Sequence, residues 1–171
     1  MDHITSGCPV LARNEYIERH NKVASYIHWN LSKHYNIDVP LKWYEHNPQT
    51  VVESQHATIL WDMPIHTDRE IAANRPDIVV KDKDDNKCYL IDVSVPNDQN
   101  VGLKELEKRS KYKDLEIEIS RMWGMEVINI PIIIGALGLI KKGMVKNIKS
   151  LPGTMNIEQC QKTVILKTAH I

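Results

Sequence analysis

Apolar positions recur at helical spacing over residues 11 to 35, where Leu11, Tyr16, Ile17, Val23, Ala24, Ile27 and Leu31 define one face. Arg13, Glu15, Glu18, Arg19 and Lys22 fall mostly elsewhere. The stretch Asn36-Ile37-Asp38-Val39-Pro40 ends this predicted helix, because the residue before a proline disfavours helical backbone. Residues 41 to 52 are less regular, with Trp43 and Tyr44 suggesting extended chain and Asn47-Pro48 a turn. Three strand-like runs follow at 58–65, 77–81 and 88–95. A long charged helix is predicted over 99–123, with Leu103, Leu106, Leu115, Ile119 and Met122 as its buried stripe. Residues 127–134 are nearly all apolar, as in a strand covered on both faces, and Pro131 argues for an edge or a bulge. Helices over 136–150 and 157–171 complete the pattern. This order predicts an α/β domain with a mixed central sheet of about four strands flanked by helices.

A chain of 171 residues holds one such domain. No apolar run reaches the roughly 18 residues of a membrane span; the longest is interrupted by Pro131, Gly135 and Gly138. The first residues lack a basic segment followed by an apolar one, which argues against secretion. Cys8, Cys88 and Cys160 are too scattered for a disulfide framework, so a reducing, intracellular setting is expected. The last apolar stripe runs to Ile171 without a capping residue, so the domain is expected to be C-terminally truncated.

Candidate chemistry lies in the second and third strand-like runs. The polar run Asp82-Lys83-Asp84-Asp85-Asn86-Lys87 between them predicts a hairpin. A turn centred between Asp84 and Asp85 sets Asp77 directly opposite Asp92, with Cβ atoms about 4.5–5.5 Å apart. Facing like charges destabilise a sheet unless neutralised, and a divalent cation bound through hard oxygens would neutralise them. Alternation puts Asp77 with Val79 and Asp92 with Leu90 and Ser94 on one face, leaving Ile78, Val80, Ile91, Val93 and Val95 for the other. The competing reading of each aspartate is a turn residue or a solvated hairpin charge. On the following helix, Lys104, Lys108 and Lys111 share one stripe from which a lysine can reach the acids; alternatively all three are solvated, interleaved with Glu105, Glu107 and Asp114.

Arg75-Pro76-Asp77, Ile91-Asp92-Val93-Ser94, Lys108 and Lys111-Tyr112 resemble the PD-(D/E)xK nuclease superfamily. More narrowly, the chain resembles the restriction-like endonuclease domain of non-LTR retrotransposon polyproteins, and Arg19-His20-Asn21, Trp61-Asp62 and the apolar strand before Gly135 extend the likeness. The resemblance implies a restriction-endonuclease-like core, with Asp77 and Asp92 holding Mg²⁺ (Mn²⁺ as an alternative). Ser94 stands where the superfamily has its lysine, and the retrotransposon branch supplies that lysine from the next helix, at the place of Lys108. Arg75, Lys104, Lys111 and Tyr112 become candidate DNA contacts. His3 and Cys8 resemble the closing half of a zinc knuckle, making residues 1–10 its remnant and 11–171 the endonuclease domain. Two ligands cannot close a zinc site, so no zinc is expected.

The implied activity is nicking of target DNA in the nucleus for a linked reverse transcriptase. The implied partners are DNA and the reverse transcriptase and zinc-knuckle regions of a parent polyprotein, with no membrane. The alternatives are a degenerate or domesticated fragment that folds and binds nucleic acid without cleaving it. Balanced charge, 22 basic against 22 acidic residues, is unusual for a domain that binds DNA alone. Either the cations cluster on one face or other regions supply affinity. Further candidates are Glu15, Glu18 or Glu53 as a third metal ligand, Arg19 and His20 as phosphate contacts or local caps, and Lys141, Lys142, Lys146 and Lys149 as a DNA-backbone grip or a solvated helix face. Trp29, Trp43 and Trp61 read as core.

Overall fold

Strands β1 (Val51–Glu53), β2 (Ala57–Trp61), β3 (Ile78–Asp82), β4 (Lys87–Ser94) and β5 (Glu126–Ile133) pair in that spatial order. The first four run as an antiparallel meander and β5 joins β4 in parallel, so the sheet is mixed. The computed structural model describes residues 3–171. Helix α1 (Glu15–His34) precedes the sheet; α2 (Val101–Lys111) and α3 (Lys113–Trp123) form the crossover from β4 to β5; α4 (Lys142–Lys149) and α5 (Ile157–Ala169) follow. Among the described residues no helix is long and apolar enough to cross a membrane.

The β3–β4 hairpin has the register expected from its polar turn, with Ile78 opposite Ile91, Val79 opposite Leu90 and Val80 opposite Tyr89. Asp82 pins the turn: one carboxylate oxygen accepts from the Asp85 amide at 2.8 Å and the other from the Tyr35 hydroxyl at 2.8 Å. Asn86 takes the left-handed backbone that closes it, a conformation asparagine tolerates. Apolar packing covers both faces. Ile78, Val80, Ile91 and Val93 meet Val23, Ala24, Ile27 and Leu31 of α1 and Cys160 and Val164 of α5. Val79, Cys88 and Leu90 meet Tyr112, Leu115 and Ile119. The acid-bearing face is therefore as apolar as its opposite over most of its length, and only its end carries the carboxylates.

Several expected boundaries move. The sheet has five strands because Val51–Glu53, read as irregular, pairs with β2. The run 58–65 stops at Trp61, where Asp62 adopts a positive φ of 50° and turns the chain into a loop. That loop returns so that the Asp62 amide donates to the Asp77 carbonyl at 2.8 Å. The helix expected over 99–123 is two helices that break at Tyr112. Leu103, Leu106 and Met122 of its expected stripe are exposed, whereas Leu115 and Ile119 are buried. Residues 136–141 are not helical; there the Gly135 amide donates to Leu139 and the Gly138 amide to Gly135. Pro131 lies on the edge strand as expected, and its outward carbonyl accepts from Asn147 of α4 at 3.2 Å.

Residues 3–10 dock on the domain. His3–Gly7 form a π-helical turn, and the Tyr16 hydroxyl accepts from the Cys8 amide while donating to the Ile4 carbonyl at 2.5 Å. The Arg19 guanidinium, almost completely buried, donates to the Thr5 carbonyl at 2.7 Å, the Thr168 hydroxyl at 2.9 Å and the Val95 carbonyl at 3.4 Å. One side chain thus ties the leading turn, the end of β4 and α5 together. The part of the expected zinc-knuckle remnant at Met1 and Asp2 lies outside the described residues.

Candidate active site

The β3–β4 ladder ends at Ile78 and Ile91, and Asp77 and Asp92 follow at its open end. Beyond the last rung the Val93 amide has no partner on β3. The Asp77 carboxylate takes that place, accepting through Oδ2 at 2.7 Å, so Asp77 is aimed at the backbone beside Asp92. The same Oδ2 is 3.0 Å from His20 Nε2, delivered by the first half of α1.

Asp92 is buried to 3% exposure on a strand covered on both faces. Its Oδ1 accepts from the Tyr112 hydroxyl at 2.7 Å. Its Oδ2 is paired with Lys108 Nζ at 2.5 Å, a largely buried ion pair. The helix break at Tyr112 makes this arrangement possible. It drops the tyrosine ring beneath the sheet end and leaves Lys104, Lys108 and Lys111 of α2 along the rim. Asn129 on β5 donates weakly to the Lys108 carbonyl at 3.4 Å, fixing the helix end that carries the lysine.

These side chains share one open cleft of about 390 Å³. Its walls carry Arg19, His20, Arg75, Lys104, Lys108 and Lys111 around the two aspartates, together with Ser94, Val95, Tyr16 and Ser6. A larger hollow of about 580 Å³, beside Asn36, Gln49 and Glu53, has neither lysine nor arginine among its lining residues. Volume alone therefore does not locate the chemistry. Burial pulls the His20 pKa down, but the hydrogen bond and charge of Asp77, the contact with Asn21 and the charge of Asp92 outweigh it and hold the value at about 9. His20 is thus cationic at neutral pH, and the cleft lining holds six basic side chains and two carboxylates. Burial pushes the Tyr112 hydroxyl well above its ordinary range, reinforced by Asp92, so it stays a donor. Burial likewise lowers the Arg19 pKa.

The expected site residues separate into groups. Asp77, Asp92 and Lys108 meet in one place; Arg75, Lys104 and Lys111 line the same cleft. Arg75 also donates to the Asp62 carboxylate at 2.9 Å, and Lys104 pairs with Glu107 at 3.0 Å. Tyr112, expected to touch DNA, is fully buried and holds Asp92 instead. The glutamates considered as a third acid are absent from the cleft lining: Glu18 pairs with Lys167 and Glu53 with Lys83, at 2.6 Å for the latter. Arg19 is a buried structural tie whose edge reaches the cleft, while Lys141, Lys142, Lys146 and Lys149 are exposed on or beside α4. Among the described residues no group of three or more His, Cys, Asp or Glu side chains is arranged to hold a metal, and His3 and Cys8 have no such company.

His20 is the residue whose place was least legible. The sequence marked it as a phosphate contact or a local cap, and helical spacing says nothing about the strand end and the Asp77 carboxylate it meets. No family model and no curated protein matches the chain.

Proposed function

We propose that the chain is a Mg²⁺-dependent DNA endonuclease domain with a restriction-endonuclease-like core. Its reaction would be nicking of target DNA in the nucleus for the linked reverse transcriptase of a non-LTR retrotransposon polyprotein. The observation that carries this reading is the meeting of Asp77, Asp92 and Lys108 at one strand end inside a cationic cleft. The polyprotein setting, with its reverse transcriptase and zinc-knuckle regions, rests on the sequence resemblance.

The donor set suits a hard divalent cation. Asp77 and Asp92 would hold it, their carboxylates lying at the same strand end and lining one cleft. Magnesium commonly takes one or two protein carboxylates and fills its remaining positions with water and phosphate oxygens, so a third acid is not required. When bound, Mg²⁺ (or Mn²⁺) supplies Lewis acidity at the scissile phosphate and makes nearby water more acidic. The chain's own groups do the rest. Val93 N–H and His20 orient Asp77, Tyr112 orients Asp92, and Lys108 offers positive charge where negative charge develops on the phosphate. Arg75, Lys104 and Lys111 attract the backbone of the strand.

A second reading, nucleic-acid binding without cleavage, is favoured by one observation: each carboxylate already has a cationic partner from the chain, His20 for Asp77 and Lys108 for Asp92. Plasmid nicking with Mg²⁺, by the wild type and by Asp92→Ala, separates the two. Wild-type conversion of supercoiled to open-circular DNA, lost in the variant and in chelator, supports the endonuclease. Salt-sensitive binding by a wild type that never nicks supports the second reading and ends the first.

A further inference from the structure

Beyond His20 the acid cleft does not end. His20 and Asp77 also wall a small recess of about 90 Å³ whose far side is Asn21, Ala24, Trp61 and Asp62. Asn21 and Trp61 in turn wall a hollow of about 520 Å³ between α1 and the turn at residues 46–48. The recess thus shares wall residues with the acid cleft on one side and with this slot on the other, so the three spaces are neighbours along α1.

The slot has an uncommon lining. Ile17, Pro48 and Trp61 give it apolar lining, and Asn14, Asn21 and Asn47 give it amide side chains, that of Asn21 also bonded to His20. Ile17 sits at a position whose spacing predicts core, yet it is 52% exposed and lines this hollow. Arg13 and Lys22 stand at the rim, and the one rim acid, Glu18, is neutralised by Lys167. Apolar planes, amide edges and a cationic rim are what a nucleobase with its phosphate needs: stacking for the ring, donors and acceptors for the base edge, positive charge for the backbone. The hollow lies within the size range of sites for small organic groups.

We infer that this slot receives an unstacked nucleobase of the strand whose phosphate lies on Asp77 and Asp92. The preferred substrate is then DNA that is single-stranded, mismatched or frayed beside the cut, since a base held in a duplex cannot enter a side slot without leaving its stack. The inference rests on the nucleic-acid reading of the acid cleft and specifies the substrate form.

The test is binding by fluorescence anisotropy in Ca²⁺, comparing a labelled fully paired duplex with the same duplex carrying an unpaired stretch. Two variants block the slot from opposite walls, Ile17→Trp and Asn47→Trp, both at exposed positions. The wild type is expected to bind the unpaired form about tenfold more tightly, the worth of one stacked base. Each variant is expected to lose that preference while retaining duplex affinity. A wild type that binds both forms equally, or variants that keep the preference, overturn the slot and leave the endonuclease reading standing. Failure to bind either form overturns both.

Discussion

Tyr112 shows how much a single side chain carries here. Its ring fills the core under α3 while its hydroxyl donates to Oδ1 of a nearly buried carboxylate whose other oxygen meets Lys108. Tyr112→Phe removes that donor with little change of volume. A buried acceptor left unsatisfied costs about 1–3 kcal/mol, more when charged, so urea unfolding at neutral pH should show a loss of that order. Nicking should fall as well, because Asp92 loses its orientation; a variant of unchanged stability would mean that the bond contributes nothing. His28 offers a test by pH. It is fully buried against His46, Ser32 and Trp61, and burial, followed by the charge of His46, holds its pKa at about 3. The unfolded chain has an ordinary histidine near 6.5, so it binds the extra proton over the window between those values. The stabilisation from a neutral His28 is complete above pH ~6.5 and declines as pH falls, by up to roughly 1.4 kcal/mol per pH unit. His28→Gln should therefore flatten the stability profile on the acid side, and parallel profiles for wild type and variant would refute this.

Among the elements, the β3–β4 hairpin was the most legible, and α2 the least. The hairpin announces itself locally, because its turn residues and the alternation on both sides agree on one register. The expected pairing of Asp77 with Asp92 falls one residue past the ladder, which ends at Ile78 and Ile91, and the Asp77 carboxylate bonds the Val93 amide there. Helix α2 misleads because its apolar residues do not mark its buried side. Leu103 and Leu106 face outward at 70% and 66% exposure, and the polar side, Lys104 and Lys108, turns toward the acids. A helix that serves a charged cleft inverts the usual relation between apolar stripe and core. The break at Tyr112 is hidden for a related reason, since nothing in the local spacing signals that one aromatic must drop beneath a distant strand end. The consequence is measurable. Leu103→Gln and Leu106→Gln should each change stability by less than about 0.5 kcal/mol, as for ordinary surface positions. Leu115→Ala, in the fully buried α3 face, should cost about 2–5 kcal/mol. Equal losses at the three positions would place α2 against the core after all.

For the molecule as a whole, zero net charge and a cationic cleft are compatible because charge is distributed, not absent. Acidic side chains are spent elsewhere: Glu53 on Lys83, Glu18 on Lys167, Asp84 on His56, and Glu118 on Arg121. Around Asp77 and Asp92 the cleft lining carries six basic side chains, of which Arg75 and Lys104 also pair with Asp62 and Glu107 outside the lining. A short cationic patch on a neutral body has a definite signature in binding. Each phosphate neutralised releases condensed counterion, and log K falls against log[salt] with a slope of about 0.9 per contact on duplex DNA. Arg75, Lys104 and Lys111 supply up to three contacts at the rim, which caps the rim's contribution to the slope near ~3. Lys111→Ala should weaken binding and reduce the slope by about one, without preference for sequence, since phosphate contacts carry none. Lys149→Ala, on the exposed side of α4, should leave the slope where it was if the cleft is the binding surface. A slope far above three, or one that drops with Lys149 and not with Lys111, would move the nucleic acid from the acid cleft to α4, and with it would go the case for Asp77 and Asp92 as the place where a strand is cut.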